Sequence, residues 1–192
     1  MRRILLIDNY DSFTYNLLHS IEKNAETIVD VFRNDQLSGI DINHYDKVVL
    51  SPGPGLPHEA GELMSFIEAN HQTIPILGIC LGHQALGVFF GAELMNLPQP
   101  LHGKQLETNI LTKNGLFYAI PEIILTGHYH SWVLHEHHFP NTLKITARNH
   151  VGGIMAFEHI EYPVAGIQFH PESVMTPLGD AILSNWINTK FG

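Results

Sequence analysis

The stretch Ile76-Leu77-Gly78-Ile79-Cys80-Leu81-Gly82-His83-Gln84 contains the only cysteine among the 192 residues of the chain. The cysteine lies between two glycines, where an apolar run gives way to a helical pattern. This is the G-x-C-x-G form of a nucleophile elbow, the thiol counterpart of the G-x-S-x-G turn. Because neither glycine carries a Cβ, the chain can turn sharply between strand and helix. The pattern predicts an exposed thiol at a helix N-terminus, where the helix dipole favours the thiolate; a buried apolar cysteine is the alternative.

A thiol nucleophile needs a base and a group that orients the base, and one of the fourteen histidines stands in a suitable place. The apolar run at 164–169 is typical of a buried strand and ends at His170-Pro171-Glu172-Ser173. Open α/β sheets place their chemistry at such strand ends. Glu172 lies two positions beyond His170 and so reaches the same face of an extended chain. We therefore expect His170 to face Cys80 and Glu172 to hold the other ring nitrogen, although each residue alone is typical of a surface position.

A loop rich in proline and glycine follows another short apolar strand at 47–50 and reads Ser51-Pro52-Gly53-Pro54-Gly55-Leu56-Pro57. Proline has no N–H, so the free backbone donors are those of Gly53, Gly55 and Leu56. A rigid loop with few donors suits an oxyanion hole, and the N–H of Leu81, just after the nucleophile, would be the second donor. Taken alone, such a loop is a common strand-to-helix turn.

Taken together, these three segments resemble the class I (triad) glutamine amidotransferases. More narrowly, the chain is similar to the glutaminase component of anthranilate synthase and of 4-amino-4-deoxychorismate synthase. The further matching motifs are Leu5-Leu6-Ile7-Asp8-Asn9-Tyr10-Asp11-Ser12-Phe13-Thr14-Tyr15-Asn16-Leu17, Leu101-His102-Gly103-Lys104 and Tyr129-His130-Ser131. The resemblance covers essentially the whole chain.

The resemblance implies a role for each matching residue. Cys80 would attack the side-chain amide carbon of L-glutamine, His170 would be the general base and acid, and Glu172 would orient His170. The backbone N–H groups of Gly55 and Leu81 would form the oxyanion hole. The residues expected to bind glutamine are Gly53, Pro54, Gly55, Gln84, His130 and Ser131. We expect no cofactor and no metal in this reaction.

The resemblance also implies a partner, a chorismate-binding synthase component I on a separate chain that would receive the ammonia. The product would be anthranilate, for tryptophan biosynthesis; 4-amino-4-deoxychorismate, for folate synthesis, or both products remain alternatives. Two other hypotheses stay open. The chain could be a stand-alone γ-glutamyl hydrolase or thiol peptidase, or an inactive regulatory homologue, although the intact set of Cys80, His170 and Glu172 argues against the latter.

Composition predicts one globular domain spanning residues 1–192. No apolar run reaches the ~18 residues that a membrane span needs, and the apolar stretch before Asp8 is too short for a signal peptide. A single cysteine excludes an internal disulfide framework, so we expect a cytoplasmic location. The formal net charge of −9 argues against a nucleic-acid partner.

Apolar runs and helical patterns alternate in the first half of the chain, as expected of βαβ units and a parallel sheet. Strands are predicted at 4–8, 27–32, 47–50 and 74–79, and helices at 13–21, 63–67 and 85–90. In the second half, short runs at 110–111, 123–125, 132–134, 143–147 and 154–157 predict antiparallel additions, and 177–189 predicts a closing helix. The predicted fold is one α/β domain with a mixed, mostly parallel sheet flanked by helices on both faces.

A histidine-rich segment near 128–138 raises the possibility of a metal site, because histidine is a common zinc ligand. His135, His137 and His138, however, fall in a loop without a helix to fix an i, i+4 pair, and no Cys–His spacing typical of zinc sites is present. We therefore predict solvated histidines and no specific metal site.

Overall fold

The computed structural model describes residues 1–189, in which nine strands form one sheet and four α-helices cover it. The strands are β1 (Arg2–Asp8), β2 (Thr27–Arg33), β3 (Lys47–Leu50), β4 (Ile76–Ile79), β5 (Leu94–Ile110), β6 (Ile123–Leu134), β7 (Leu143–Asn149), β8 (Ile154–His159) and β9 (Val164–Ile167). The helices are α1 (Thr14–Glu22), α2 (Leu63–Asn70), α3 (Leu81–Phe89) and α4 (Gly179–Asn188). The strand order is β2-β1-β3-β4-β9-β8-β7-β5-β6. No helix of residues 1–189 combines the length and apolar character of a membrane span.

The first five strands in that order are paired in parallel, and helices bury both faces of this half. Strand β1 shows the arrangement, because successive side chains of a strand point to opposite faces. Ile4 and Leu6 pack in the core that includes α1 and α4, whereas Leu5 and Ile7 pack in the core that includes α2 and α3. The predicted fold class, with helices on both faces and antiparallel additions, is confirmed.

The antiparallel half is larger than the sequence indicated. The predicted short strand at 110–111 is the end of β5, which is 17 residues long, and the predicted strands at 123–125 and 132–134 are one continuous β6. The pattern was not visible because β5 is mostly exposed and carries Pro98, Pro100 and Gly103. Two irregularities in the pairing of β5 with β6 accommodate these residues.

The sheet curls so that its last strand returns to the end of β9. The backbone N–H of His170 donates to the carbonyl of Gly127 in β6 at 3.0 Å. The hydroxyl of Thr176 accepts from the Gly127 N–H at 2.9 Å and donates to the His170 carbonyl at 2.6 Å. Edge strand β6 is thereby joined to the segment that carries the predicted base.

The closing helix begins later than expected, at Gly179 rather than at Pro177. A Cβ at position 179 would collide with the carbonyl oxygen of Pro171, so the first residue of α4 packs directly against the His170–Glu172 segment. The predicted domain boundary at residue 192 lies outside the described residues.

Candidate active site

Cys80 forms the turn between β4 and α3, as the elbow motif predicts, but it is only 5% exposed, so the expectation of an exposed thiol was wrong. Its φ of 52° is in the left-handed region, which is a strained conformation for a residue with a Cβ and is common at functional turns. A Cβ at Gly78 would collide with the carbonyl of Gly82, and a Cβ at Gly82 would lie 2.6 Å from the carbonyl oxygen of Leu50. The two glycines therefore allow β3, β4 and α3 to approach closely, while the cysteine itself carries the unusual backbone angle.

His170 and Glu172 form a buried pair just beyond β9. The ring Nδ1 lies 2.7 Å from Glu172 Oε1, and the exposed fractions of the two side chains are 2% and 0%. Burial lowers the pKa of His170, but the sulfur of Cys80 and the carboxylate of Glu172 raise it, and the net pKa is well above the usual 6.5. Within residues 1–189 no hydrogen bond reaches Nε2, the ring nitrogen left for Cys80. The environment thus favours the imidazolium form of His170 beside the sulfur of Cys80.

A cavity of about 250 Å³ opens next to the sulfur of Cys80. Its wall includes every residue that the sequence assigned to glutamine binding, namely Gly53, Pro54, Gly55, Gln84, His130 and Ser131. His102, Tyr129 and Trp132 also line it and had not been assigned to the site. The signal for them was available, since all three lie in or next to the motifs at 101–104 and 129–131.

The proline–glycine loop lies against the elbow. A Cβ at Gly53 would lie 2.5 Å from the Cβ of Asn9 and 2.8 Å from a methyl group of Leu81, so only glycine fits between them. The expectation of three free donors was wrong for Leu56, because its N–H donates to Glu59 Oε2 at 2.9 Å. Within the described part of the chain, the N–H groups of Gly53 and Gly55 have no hydrogen-bond partner.

Two glutamines connect the cavity wall to the sulfur. Gln84 Nε2 donates to the carbonyl of Trp132 at 2.8 Å and to Gln168 Oε1 at 3.2 Å. Gln168 Nε2 in turn lies 3.6 Å from Cys80 Sγ, within donor reach of a sulfur. Sequence reasoning missed Gln168, although its position two residues before His170 places it on the same face of an extended chain.

Two histidines of β6 are buried at the cavity, His130 in its wall and His128 next to it. His128 Nδ1 lies 3.1 Å from His130 Nε2, and His128 Nε2 lies 2.9 Å from the hydroxyl of Thr126. Burial, assisted by the charge of His170, lowers the pKa of His128 to about 4. Burial and the neighbouring histidines lower the pKa of His130 to about 3. Both rings are therefore neutral near pH 7, which leaves His170 as the protonated imidazole of the site.

The histidine-rich loop does not contribute to this cavity. His135 Nδ1 accepts from the backbone N–H of His137 at 3.1 Å, and the rings of His135, His137 and His138 pack edge to face. Among residues 1–189, no group of three or more His, Cys, Asp or Glu side chains is arranged to hold a metal ion.

Comparison with known proteins matches residues 5–189 to the family model for the class-I glutamine amidotransferases. The chain is 41% identical to anthranilate synthase component 2 of Mycobacterium tuberculosis over 96% of this chain and 81% of that protein. It is 38% identical to aminodeoxychorismate/anthranilate synthase component 2 of Bacillus subtilis, over 97% and 96%. A solved structure from Thermoplasma acidophilum superposes with a TM-score of 0.84 at 25% identity, covering 97% of this chain and 92% of that one.

Some relatives are much longer than this chain. The bifunctional protein TrpGD of Thermotoga maritima is 40% identical over 99% of this chain, yet the chain spans only 33% of that protein.

Proposed function

The chain belongs to the class-I glutamine amidotransferase family, and on this premise we propose that it is the glutaminase subunit of an anthranilate synthase. One observation supports the proposal above all others. The thiol of Cys80 at the strained elbow and the unpaired N–H groups of the Gly53–Gly55 loop line one cavity, and the buried pair of His170 and Glu172 lies within electrostatic reach of the Cys80 sulfur. These are a nucleophile, an oriented base and oxyanion donors, the parts that acyl transfer requires.

The first half-reaction releases ammonia. The thiolate of Cys80 adds to the side-chain amide carbon of L-glutamine, and the oxyanion accepts hydrogen bonds from the N–H groups of Gly55 and Leu81. Leu81 is the first residue of α3, so its N–H has no acceptor within the helix. The imidazolium of His170 gives its Nε2 proton to the amide nitrogen, the C–N bond breaks, and a γ-glutamyl thioester remains on the sulfur.

The second half-reaction frees the enzyme. Neutral His170 takes a proton from a water molecule, whose oxygen attacks the thioester carbon. The C–S bond breaks, the sulfur leaves as thiolate, and glutamate is released. Glu172 holds Nδ1 throughout and stabilises the imidazolium, as the acid of a triad does.

The cavity suits a substrate of amino-acid size, because its volume of about 250 Å³ is below the ~300–1,000 Å³ of drug-sized ligand pockets. We place the α-amino and α-carboxylate groups of glutamine near Gly53, Pro54 and the His130-Ser131 backbone. Gln84 acts indirectly, because its amide N–H groups serve Trp132 and Gln168.

The proposal includes a partner, a chorismate-binding synthase component on a separate chain, since the relatives of similar length are named component 2. The name of the B. subtilis relative also keeps the second product open, so the same ammonia could serve 4-amino-4-deoxychorismate synthesis. We place the protein in the cytoplasm, where a free catalytic thiol stays reduced.

The test is Cys80→Ser assayed in the complete complex with chorismate. Glutamine-dependent synthesis should fall by several orders of magnitude, because a hydroxyl is a far weaker nucleophile than a thiolate at neutral pH. Synthesis driven by added ammonia, measured on the same preparation, should be unchanged, because it bypasses Cys80 and needs only the partner's site. Retained glutaminase activity in Cys80→Ser would refute the nucleophile assignment.

A further inference from the structure

The turn after β1 belongs to the motif at 5–17, yet no step of the proposed reaction uses it. Two carboxylates fix this turn. Asp11 Oδ1 accepts from the backbone N–H of Phe13 at 2.7 Å. Asp8 Oδ1 accepts from the N–H of Asp11 at 3.3 Å and from the hydroxyl of Thr14 at 2.7 Å. The backbone of Phe13 is therefore held in place independently of its side chain.

The ring of Phe13 projects from this turn onto the predicted base. Its centroid lies 5.8 Å from that of His170, with the planes at 69°, and 5.1 Å from that of Tyr129. Tyr129 also packs on His170, at 5.0 Å and 68°, and its hydroxyl lies 3.1 Å from the hydroxyl of Ser173. The imidazole is thus in edge contact with two aromatic rings that contact each other, in the 4.5–7 Å range typical of such pairs.

A single hydrogen bond does not fix the plane of an imidazole. The Cβ–Cγ bond and the bond from Nδ1 to Glu172 hold two ring atoms, but a coupled change of χ1 and χ2 can still rotate the ring while Nδ1 keeps its partner. Such a rotation would move Nε2 away from Cys80. Since neither Phe13 nor Tyr129 has a polar group that contacts the imidazole ring, the two side chains restrict the ring by packing alone.

We propose that Phe13 is a positioning residue for the general base: with Tyr129 it fixes the plane of the His170 ring, so that Nε2 stays directed at Cys80, and Asp11 holds Phe13. The expected effect on the glutaminase rate rests on the proposed function. The expected effect on the ring position concerns only Cys80 and His170.

The electrostatics agree with this placement. Burial raises the pKa of Asp11, the positive charge of His170 lowers it, and Glu172 raises it. The carboxylate of Asp11 is thus within electrostatic reach of the buried pair. Asp11→Asn and Asp11→Ala separate its two contributions, because asparagine keeps an oxygen for the Phe13 N–H but removes the charge, whereas alanine removes both.

The experiment compares Phe13→Leu, Phe13→Tyr, Asp11→Asn and Asp11→Ala, with Tyr15→Ala as the matched control because Tyr15 is 71% exposed on the neighbouring helix. Glutaminase activity is measured in the complex, and the alkylation of Cys80 by iodoacetamide is followed as a function of pH. Phe13→Leu should lower kcat by about 10- to 100-fold, the effect of a misplaced catalytic group, with KM changed less. Its alkylation profile should shift as well, because Nε2 of a rotated imidazole would no longer face the sulfur of Cys80.

Phe13→Tyr and Asp11→Asn should stay close to the wild type, whereas Asp11→Ala should shift in the same direction as Phe13→Leu. A lower melting temperature with unchanged kcat and an unchanged alkylation profile in Phe13→Leu and Asp11→Ala would overturn the proposal. Alkylation needs neither glutamine nor a partner. If the wild-type complex fails to hydrolyse glutamine while the alkylation shift persists, the proposed function falls and the positioning role stands.

Discussion

Acidification should unfold this protein through its buried neutral histidines. Burial is the main cause in each case: the pKa is about 3 for His83, about 4 for His128 and about 3 for His130. The ring of His83 packs on Phe157, with centroids 4.8 Å apart. In the unfolded chain the same side chains have pKa values of about 6.5. At pH values between the folded and the unfolded pKa, these histidines are protonated in the unfolded chain but not in the folded protein.

The sign and size follow from proton linkage. A pKa that is lower in the folded state makes stability fall as pH falls, so each histidine removes about 2 kcal/mol between pH 7.5 and pH 5. The three together remove about 6 kcal/mol, a large part of the ~5–15 kcal/mol that stabilises a typical domain. His170 offsets only part of this loss. Its pKa is raised, so its contribution grows as pH falls from 7.5 to about 6.5 and is constant below that, which leaves the loss between pH 6.5 and pH 5 without compensation from His170.

Urea unfolding followed by circular dichroism at pH 7.5 and pH 5 measures the effect directly. His83→Phe, which keeps an aromatic ring against Phe157, should reduce the pH dependence by about a third. His137→Gln is the matched control, because His137 is exposed and should not affect the slope. Unfolding free energies that agree within about 1 kcal/mol at the two pH values would show that the folded protein binds these protons, and the reasoning would fail.

Three further outcomes are expected. Gly82→Ala places a Cβ 2.6 Å from the Leu50 carbonyl oxygen and should lower both the melting temperature and the glutaminase rate; wild-type values for both would contradict the role of the close approach. Glu172→Gln removes a charge that raises the pKa of His170, so the alkaline limb of the pH–rate profile should move to lower pH, and an unmoved limb would count against the pair. The isolated chain should release glutamate slowly and speed up at least about tenfold with its partner and chorismate, because one misplaced oxyanion donor costs about 10²–10³ in rate. Equal rates with and without the partner would instead favour a stand-alone hydrolase.

The sequence predicted which segments meet, because that depends on strand order and strand ends. Cys80 and the His170–Glu172 segment each follow an apolar run, and runs of this kind become parallel strands whose carboxyl ends share one edge. Strand β5 escaped prediction because its prolines and exposed side chains show no apolar alternation, and its pairing with β6 depends on irregularities that only the partner strand reveals.

Roles that arise from packing between distant segments were also beyond the sequence. Nothing local indicates that Gln168 donates to the sulfur of Cys80, or that Phe13 packs on His170. Such contacts are set by tertiary distance, which a motif does not encode. The error at Leu56 differs, because Glu59 lies only three residues further on, at the spacing of a capping box, so a local signal was available.

The backbone hydrogen bond between Gly127 and His170 connects the edge strand of the sheet directly to the active site. Strand β6 is bonded to β5 over most of its length, so the two strands form a stiff arm that extends beyond the cavity. Gly127, in the interior of β6, is tied to His170 through one backbone bond and the hydroxyl of Thr176. A protein that bound to this strand pair would therefore act on the position of His170 without entering the cavity. The position of His170 would then depend on whether a partner is bound to β5 and β6.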